Sequence, residues 1–181
     1  MNEVSEVGYF TAAARLRGAF IGIFLAMSGA LYPRVSALFD KDKDKGFYFV
    51  QKLLTYALPC LAISSLVFYT FAGDIAVVIL GSKYSNATIL MQIMAPVIVL
   101  VPISVILANY LLLPLGEDKL FSKIPIVTII CHISYVFILS YYYGAIGASI
   151  AILITEIISI SILLFVNMKK GYLGKVFKSY E

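Results

Sequence analysis

The sequence predicts an all-α integral membrane protein, a helical bundle of about five transmembrane helices. Three observations carry that prediction: five apolar segments each long enough to cross a bilayer, a composition that is 61% hydrophobic with a mean hydropathy of +0.96, and lysines gathered in alternate connections. At ~1.5 Å rise per residue, a run of about 20 residues covers the ~30 Å hydrocarbon layer. A chain of 181 residues this apolar has too little polar surface to coat a soluble globule, so lipid is its solvent.

The spans cover residues 18–39, 53–72, 87–113, 124–143 and 145–166. The first ends at the sign-alternating run DKDKDK (Asp40 to Lys45), which reads as a solvated loop separating two spans. The second apolar segment overshoots one membrane thickness, which predicts a break near Gly73 and Asp74 and a short interfacial helix before Gly81. The third carries Pro96 and Pro102, the second Pro59 and the fourth Pro125; each proline removes a backbone donor and tends to kink its helix. Pro96 and Pro102 are the candidate hinges. The fourth span ends in Tyr141, Tyr142 and Tyr143, which with Tyr69 and Tyr84 form a belt of amphipathic rings at one interface. Residues 1–168 form the bundle and residues 169–181 a basic tail.

Of fourteen basic residues, eleven fall on one side: Arg34, Lys41, Lys43, Lys45 and Lys52, then Lys119 and Lys123, then Lys169, Lys170, Lys175 and Lys178. Cytoplasmic loops are the ones enriched in lysine and arginine, so the C-terminus is expected in the cytoplasm and the N-terminus outside. The same interleaving with spans makes the net charge of +4 a membrane-anchoring feature and argues against nucleic acid as a partner. The opening residues MNEVSEVGYF carry no basic leader to send that end across, which points to a missing upstream segment. Cys60 and Cys131 lie inside apolar segments and act as small hydrophobes.

Small residues recur every fourth position in the first span, at Ala14, Gly18, Gly22, Ala26 and Ala30, and in the fifth, at Gly147, Ala151, Thr155 and Ser159. Such stripes let another helix approach closely. Ionisable residues inside a bilayer are functional candidates because a central charge costs ~2.5–3.5 kcal/mol on insertion scales. Glu156 is the deepest acid; with Ser149, Thr155 and Ser159 nearby it is read either as an ion-coupling group or as a paired acid that fixes packing. Arg15 and Arg17 stand two positions apart at the mouth of the first span and cannot both face one cavity, and Arg15, beside Ala14, is the favoured anion contact. Asn109 and Gln92 in the third span suit sugar hydroxyls or interhelical hydrogen bonds. His132 has no ligand-type residue at metal spacing and reads as a packed or hydrogen-bonded ring, so neither a metal nor another cofactor is expected. No phosphate loop, nucleophile elbow or acid/base pair is recognisable, and KKGYLGK (Lys169 to Lys175) reads as a membrane-proximal tail, so enzymatic function is not expected.

The run VGYFTAAARL (Val7 to Leu16) followed by ALYP (Ala30 to Pro33) resembles the VGYYSAAEKL and ALYP pattern of Wzx-type O-antigen and polysaccharide flippases. AGDIAVVILGSKYSNATILMQIMAP and GAIGASIAILITE resemble later stretches of the same family, in the same order. That family belongs to the multidrug, oligosaccharidyl-lipid and polysaccharide exporter superfamily. The resemblance covers only spans eight to twelve of a twelve-span, two-bundle MATE-like transporter, and so implies its C-terminal bundle. It also implies alternating-access movement of an undecaprenyl-pyrophosphate-linked glycan across the bacterial inner membrane, with a missing N-terminal half and polysaccharide assembly proteins as partners. By resemblance alone, Arg15 stands at the lysine of AAEKL and is implied to meet pyrophosphate or an acidic sugar. The alternatives are a multidrug exporter of the same superfamily, a non-transporting membrane subunit or inactive fragment, and a polysaccharide polymerase, which the lack of a large polar external loop disfavours.

Overall fold

The computed structural model describes residues 3–178, and side chains from Ser5 onward. Among them there is no strand. Four helical stretches are long and apolar enough to cross a membrane, and the last is two arms folded on each other, so five spans result. The end of the expected tail, residues 179–181, lies outside the described residues.

Helix α1 (Glu3–Lys41) begins well before the first expected span, and its 39 residues reach ~58 Å. Nothing in the preceding segment breaks a helix, and Pro33 is accommodated inside it. α1 then turns into α2 (Lys43–Thr70) through Asp42 alone, whose Oδ1 accepts from the Asp44 and Lys45 amides at 3.0 and 3.3 Å. The DKDKDK run is therefore a capped helix junction more than a loop. A Cβ on Gly46 would meet the Phe39 ring at 2.7 Å; its absence lets Phe39 meet Phe47 edge-on at 5.1 Å.

The break after the second span comes at Phe71, two residues before the expected Gly73. The short helix α3 (Ala72–Leu80) starts there, with Asp74 in its first turn. A turn of 3₁₀ helix (Ser82–Tyr84) leads to the third span. That span consists of α4 (Ala87–Met94), α5 (Val97–Leu107) and a π-helical turn (Ala108–Leu112). Pro96 cannot donate to the Gln92 carbonyl, which takes the Ala95 amide at 3.3 Å instead; the Ala95 carbonyl in turn accepts from the Ile98 amide at 3.0 Å and from Ser65 Oγ of α2 at 2.8 Å.

The last two spans are the two helical arms of α6 (Asp118–Lys169), which fold back on each other across the non-helical Gly144 (φ 55°, ψ −134°). The fold-back is explicit in the cross-contacts. His132 and Tyr135 of the first arm both bond Thr155 of the second at 2.6 Å, and Gly147 packs directly on the Leu139 carbonyl. Glycine is required twice here: at Gly144 for the positive φ, and at Gly147 because any Cβ would strike the opposite backbone.

The small-residue row of the fifth span is thus an internal seam, with Gly147 and Ala151 buried. The row of the first span behaves differently. Ala13, Ile21, Ser28 and Val35 are the buried face of α1, whereas Gly18, Ala26 and Ala30 are exposed and nothing lies within 4 Å of a Cβ built on Gly18 or Gly22. Close approach on that stripe is not made by any helix among the described residues.

Two apolar clusters fill the bundle. One, at the end holding Lys41, joins Val35, Phe39, Phe47, Leu107, Leu111 and Leu163; the other, at the end holding the start of α1, joins Ala13, Phe68, Ala72, Met91 and Met94. The first cluster also buries Val176 of α7 (Tyr172–Val176), so the Lys169 to Lys175 segment is docked on the bundle and not a free tail. Glu117 clasps it there, at 2.7 Å from Lys170 Nζ and 2.9 Å from the Tyr172 hydroxyl, which donates to it. The lysine and the phenol hold the Glu117 carboxyl below its ordinary range. Burial, aided by Glu117, pushes the Tyr172 phenol up to about 12.

Candidate functional site

Because α1 runs on through its N-terminal extension, Arg17 is not at a mouth but inside the bundle. Its Nη1 reaches Met94 Sδ at 3.8 Å, and its Nε is buried without a partner. Arg17 and Glu156 of α6 do not form an ion pair: the ion pairs among the described residues are Lys45–Asp42 and Lys170–Glu117. Both side chains are half-buried, and each keeps hydrogen-bonding capacity for a further group.

Glu156 lines a cleft of about 220 Å³ between α5, the π turn and both arms of α6, together with Asn109, Ser104, Ser159 and Pro125. The Ser104 hydroxyl is buried without a hydrogen-bond partner. The π turn shapes this cleft. Its wider ring bonds the Leu113 amide to the Ala108 carbonyl at 3.3 Å and adds one residue to the turn that bears Asn109. The turn is held from two sides: Tyr110 donates to Ser28 of α1 at 2.7 Å, and Asn167 of α6 reaches the Leu107 carbonyl at 3.5 Å. One residue before Glu156, Thr155 receives His132 and Tyr135 and itself donates to the Ala151 carbonyl at 2.7 Å. His132 is thereby a hydrogen-bonded ring in the hairpin seam.

The structure brings Asn109 and Glu156 into one cleft and leaves the other sequence candidates elsewhere. Arg15 is on the exposed side of α1. Gln92 lies toward the opposite end of the third span, its amide 3.5 Å from the Tyr69 carbonyl. Pro96 is exposed at the α4–α5 junction and Pro102 is buried within α5. Among the described residues no three His, Cys, Asp or Glu side chains converge as a metal site would require.

Several contributors carry no local sequence signal. Tyr110 and Asn167 look like ordinary residues of apolar spans, and Glu6 looks like a residue of a polar leader. Glu6 in fact reaches across the bundle to the fold-back, where its Oε2 accepts the Ala145 amide at 3.3 Å and caps the second arm of α6. Arg17 had a signal in its pairing with Arg15, but which arginine points inward depends on the phase of a helix that starts at Glu3.

The class these features define is a multi-span α-helical membrane bundle with an arginine and a glutamate half-buried among its helices. No family model and no solved structure matches the chain. Two curated proteins do: one from Shigella dysenteriae, 34% identical over 87% of this chain and 39% of its own length, and one from Escherichia coli (strain K12), 31% identical over 92% of this chain and 40% of its own. Both bear the name "Putative O-antigen transporter". The chain is a homologue of part of these proteins, as the Wzx-type resemblance leads one to expect, and it spans about two fifths of their length.

Proposed function

We propose that this chain is the C-terminal helical bundle of a transporter that flips an undecaprenyl-pyrophosphate-linked oligosaccharide across the cytoplasmic membrane by alternating access. The observation that carries this reading is similarity along 87–92% of the chain to two proteins named for O-antigen transport. A half-buried arginine turned toward the bundle supports it, because an anionic headgroup crossing a bilayer needs fixed positive charge on its way. In this reading residues 1–168 are the bundle, the lysine-rich end is cytoplasmic, and no covalent chemistry takes place.

Arg15 and Arg17 divide the cationic role: Arg15 meets the anionic headgroup from the open face of α1, and Arg17 holds charge inside. Glu156 is the ion-coupling group, Asn109 and Gln92 hydrogen-bond the glycan, and Pro96 and Pro102 let the third span bend. The unpartnered small-residue stripe of α1 suits a missing N-terminal half packing against it. A drug-exporter reading fits less well, since Arg17 offsets the acid that a cationic drug would need.

Deleting the coding sequence in its host and restoring it from a plasmid tests the proposal. Loss of the O-antigen ladder with build-up of lipid-linked repeat units, both reversed by the plasmid, is the expected result. An unchanged ladder in the deletion strain overturns it.

A further inference from the structure

A second cavity, of about 350 Å³, opens at the end of the bundle where α1 begins. That volume falls in the ~300–1,000 Å³ range of small-molecule sites. Its walls carry Glu6 and Tyr9 of α1, Asn86, Thr88 and Gln92 at the start of the third span, and Ile89.

The chemistry of this lining is selective. The side chains of Asn86 and Thr88 make no hydrogen bond among the described residues, so their donors and acceptors are open to a ligand. Glu6 spends Oε2 on the Ala145 amide and keeps Oε1 as a free acceptor. Tyr9 is fixed edge-on against Tyr84 at 5.7 Å, and Tyr143 also lines the cavity, exposed at 63%. Aromatic rings beside planar amides, a hydroxyl and one carboxylate match a ring with apolar faces and a belt of hydroxyl groups. No lysine or arginine lines the cavity, so a phosphate or carboxylate would meet Glu6 without compensation.

We propose that this cavity is a glycan subsite for an uncharged sugar, hexose or N-acetylhexosamine, and that it excludes acidic sugars and the pyrophosphate. The inference deepens the transporter reading, and rests on it for its place in function. The lipid-linked pyrophosphate would be handled at the arginines of α1, and a sugar of the repeat unit here, by a different set of side chains.

Saturation-transfer difference NMR on the full chain in nanodiscs tests it, with methyl glucoside, methyl N-acetylglucosaminide and methyl glucuronide as probes. The expected result is transfer to the ring protons of the two neutral glycosides and none to the glucuronide, falling at least fivefold in the double variant N86A/Q92A. Ile89→Trp, which fills the cavity without removing a polar group and sits at a 48% exposed position, should abolish transfer as well, with the far-ultraviolet circular dichroism of both variants unchanged. Absence of transfer to both neutral glycosides, the strongest transfer to glucuronide, or equal transfer in I89W overturns the subsite. Glycoside binding with no effect of the gene on the O-antigen ladder overturns the transporter reading and leaves the subsite standing.

Discussion

Tyr110→Phe isolates the clamp that ties the π turn to α1. The phenol is fully buried and makes two contacts of 2.7 Å with Ser28, one to its carbonyl and one to its hydroxyl. Phenylalanine keeps the ring, so the change removes hydrogen bonding without leaving a large cavity. A net hydrogen bond contributes ~0.5–1.5 kcal/mol in water-soluble proteins and averages ~0.6 between helices in a membrane. Two such bonds, with the Ser28 hydroxyl left buried, give an expected loss of about 1–2 kcal/mol. Reversible unfolding in mixed dodecyl sulfate micelles, followed by circular dichroism, measures it. In the double-mutant cycle with Ser28→Ala, the serine hydroxyl should couple to Tyr110 by about 0.5–1 kcal/mol. A loss below about 0.3 kcal/mol with no coupling in the cycle would refute the clamp.

Glu117→Gln should loosen α7: an exposed ion pair contributes ~0–1 kcal/mol and the phenol bond about as much again, so amide exchange in Tyr172 to Val176 should speed up about fivefold. The same release should appear in the wild type on acidification. Its carboxyl is held low in the folded state, so the stabilisation is complete above the ordinary carboxylate pKa of ~4.3 and is lost as pH falls through the lowered folded value. Exchange in α7 that is unaffected by either change would show that burial of Val176 alone holds the helix. Gly147→Leu should abolish the fold-back of α6, since its side chain meets backbone that cannot yield; a cysteine pair at His132 and Thr155 should then fail to crosslink. In transport assays, Arg17→Gln should reduce flipping at least tenfold at unchanged membrane abundance, and equal flipping by the variant would remove Arg17 from the pathway. Pro96→Ala should slow transport several-fold without lowering the amount in the membrane, and transport at the wild-type rate would end its role as a hinge.

The membrane class and helical content were legible because they depend on sums over long windows. Hydropathy located five spans, and prolines and glycines marked most of the breaks. Local phase was harder to read. The residues before Arg15 lie outside the first expected span, yet they extend α1 and carry Arg17 inward. Asp42 reads as one charge among six, but it caps a helix because the chain reverses there in a single residue. Glu6 and Ala145 are far apart in sequence, and no local pattern announces a cap supplied from so distant a position. The π turn at Ala108–Leu112 has no residue signature of its own; it exists because Tyr110 and Asn167 find partners on two other helices. The row containing Gly147 and the row containing Gly18 are alike as patterns, and only the fold-back at Gly144 gives one of them a neighbour.

That fold-back also bears on how the chain is made. Since the reversal at Gly144 consumes a single residue, no hydrophilic linker exists to wait in water while the second arm emerges from the ribosome. A hairpin this tight favours entry of the two arms as a pair, and the amide of Ala145 gains its side-chain partner only when Glu6 of α1 packs against the turn. Glu6 of α1 thus completes the α6 hairpin, so the turn is finished by contact with a helix 139 residues earlier in the chain. A reporter or epitope spliced at position 144 would separate the two arms and break that closure.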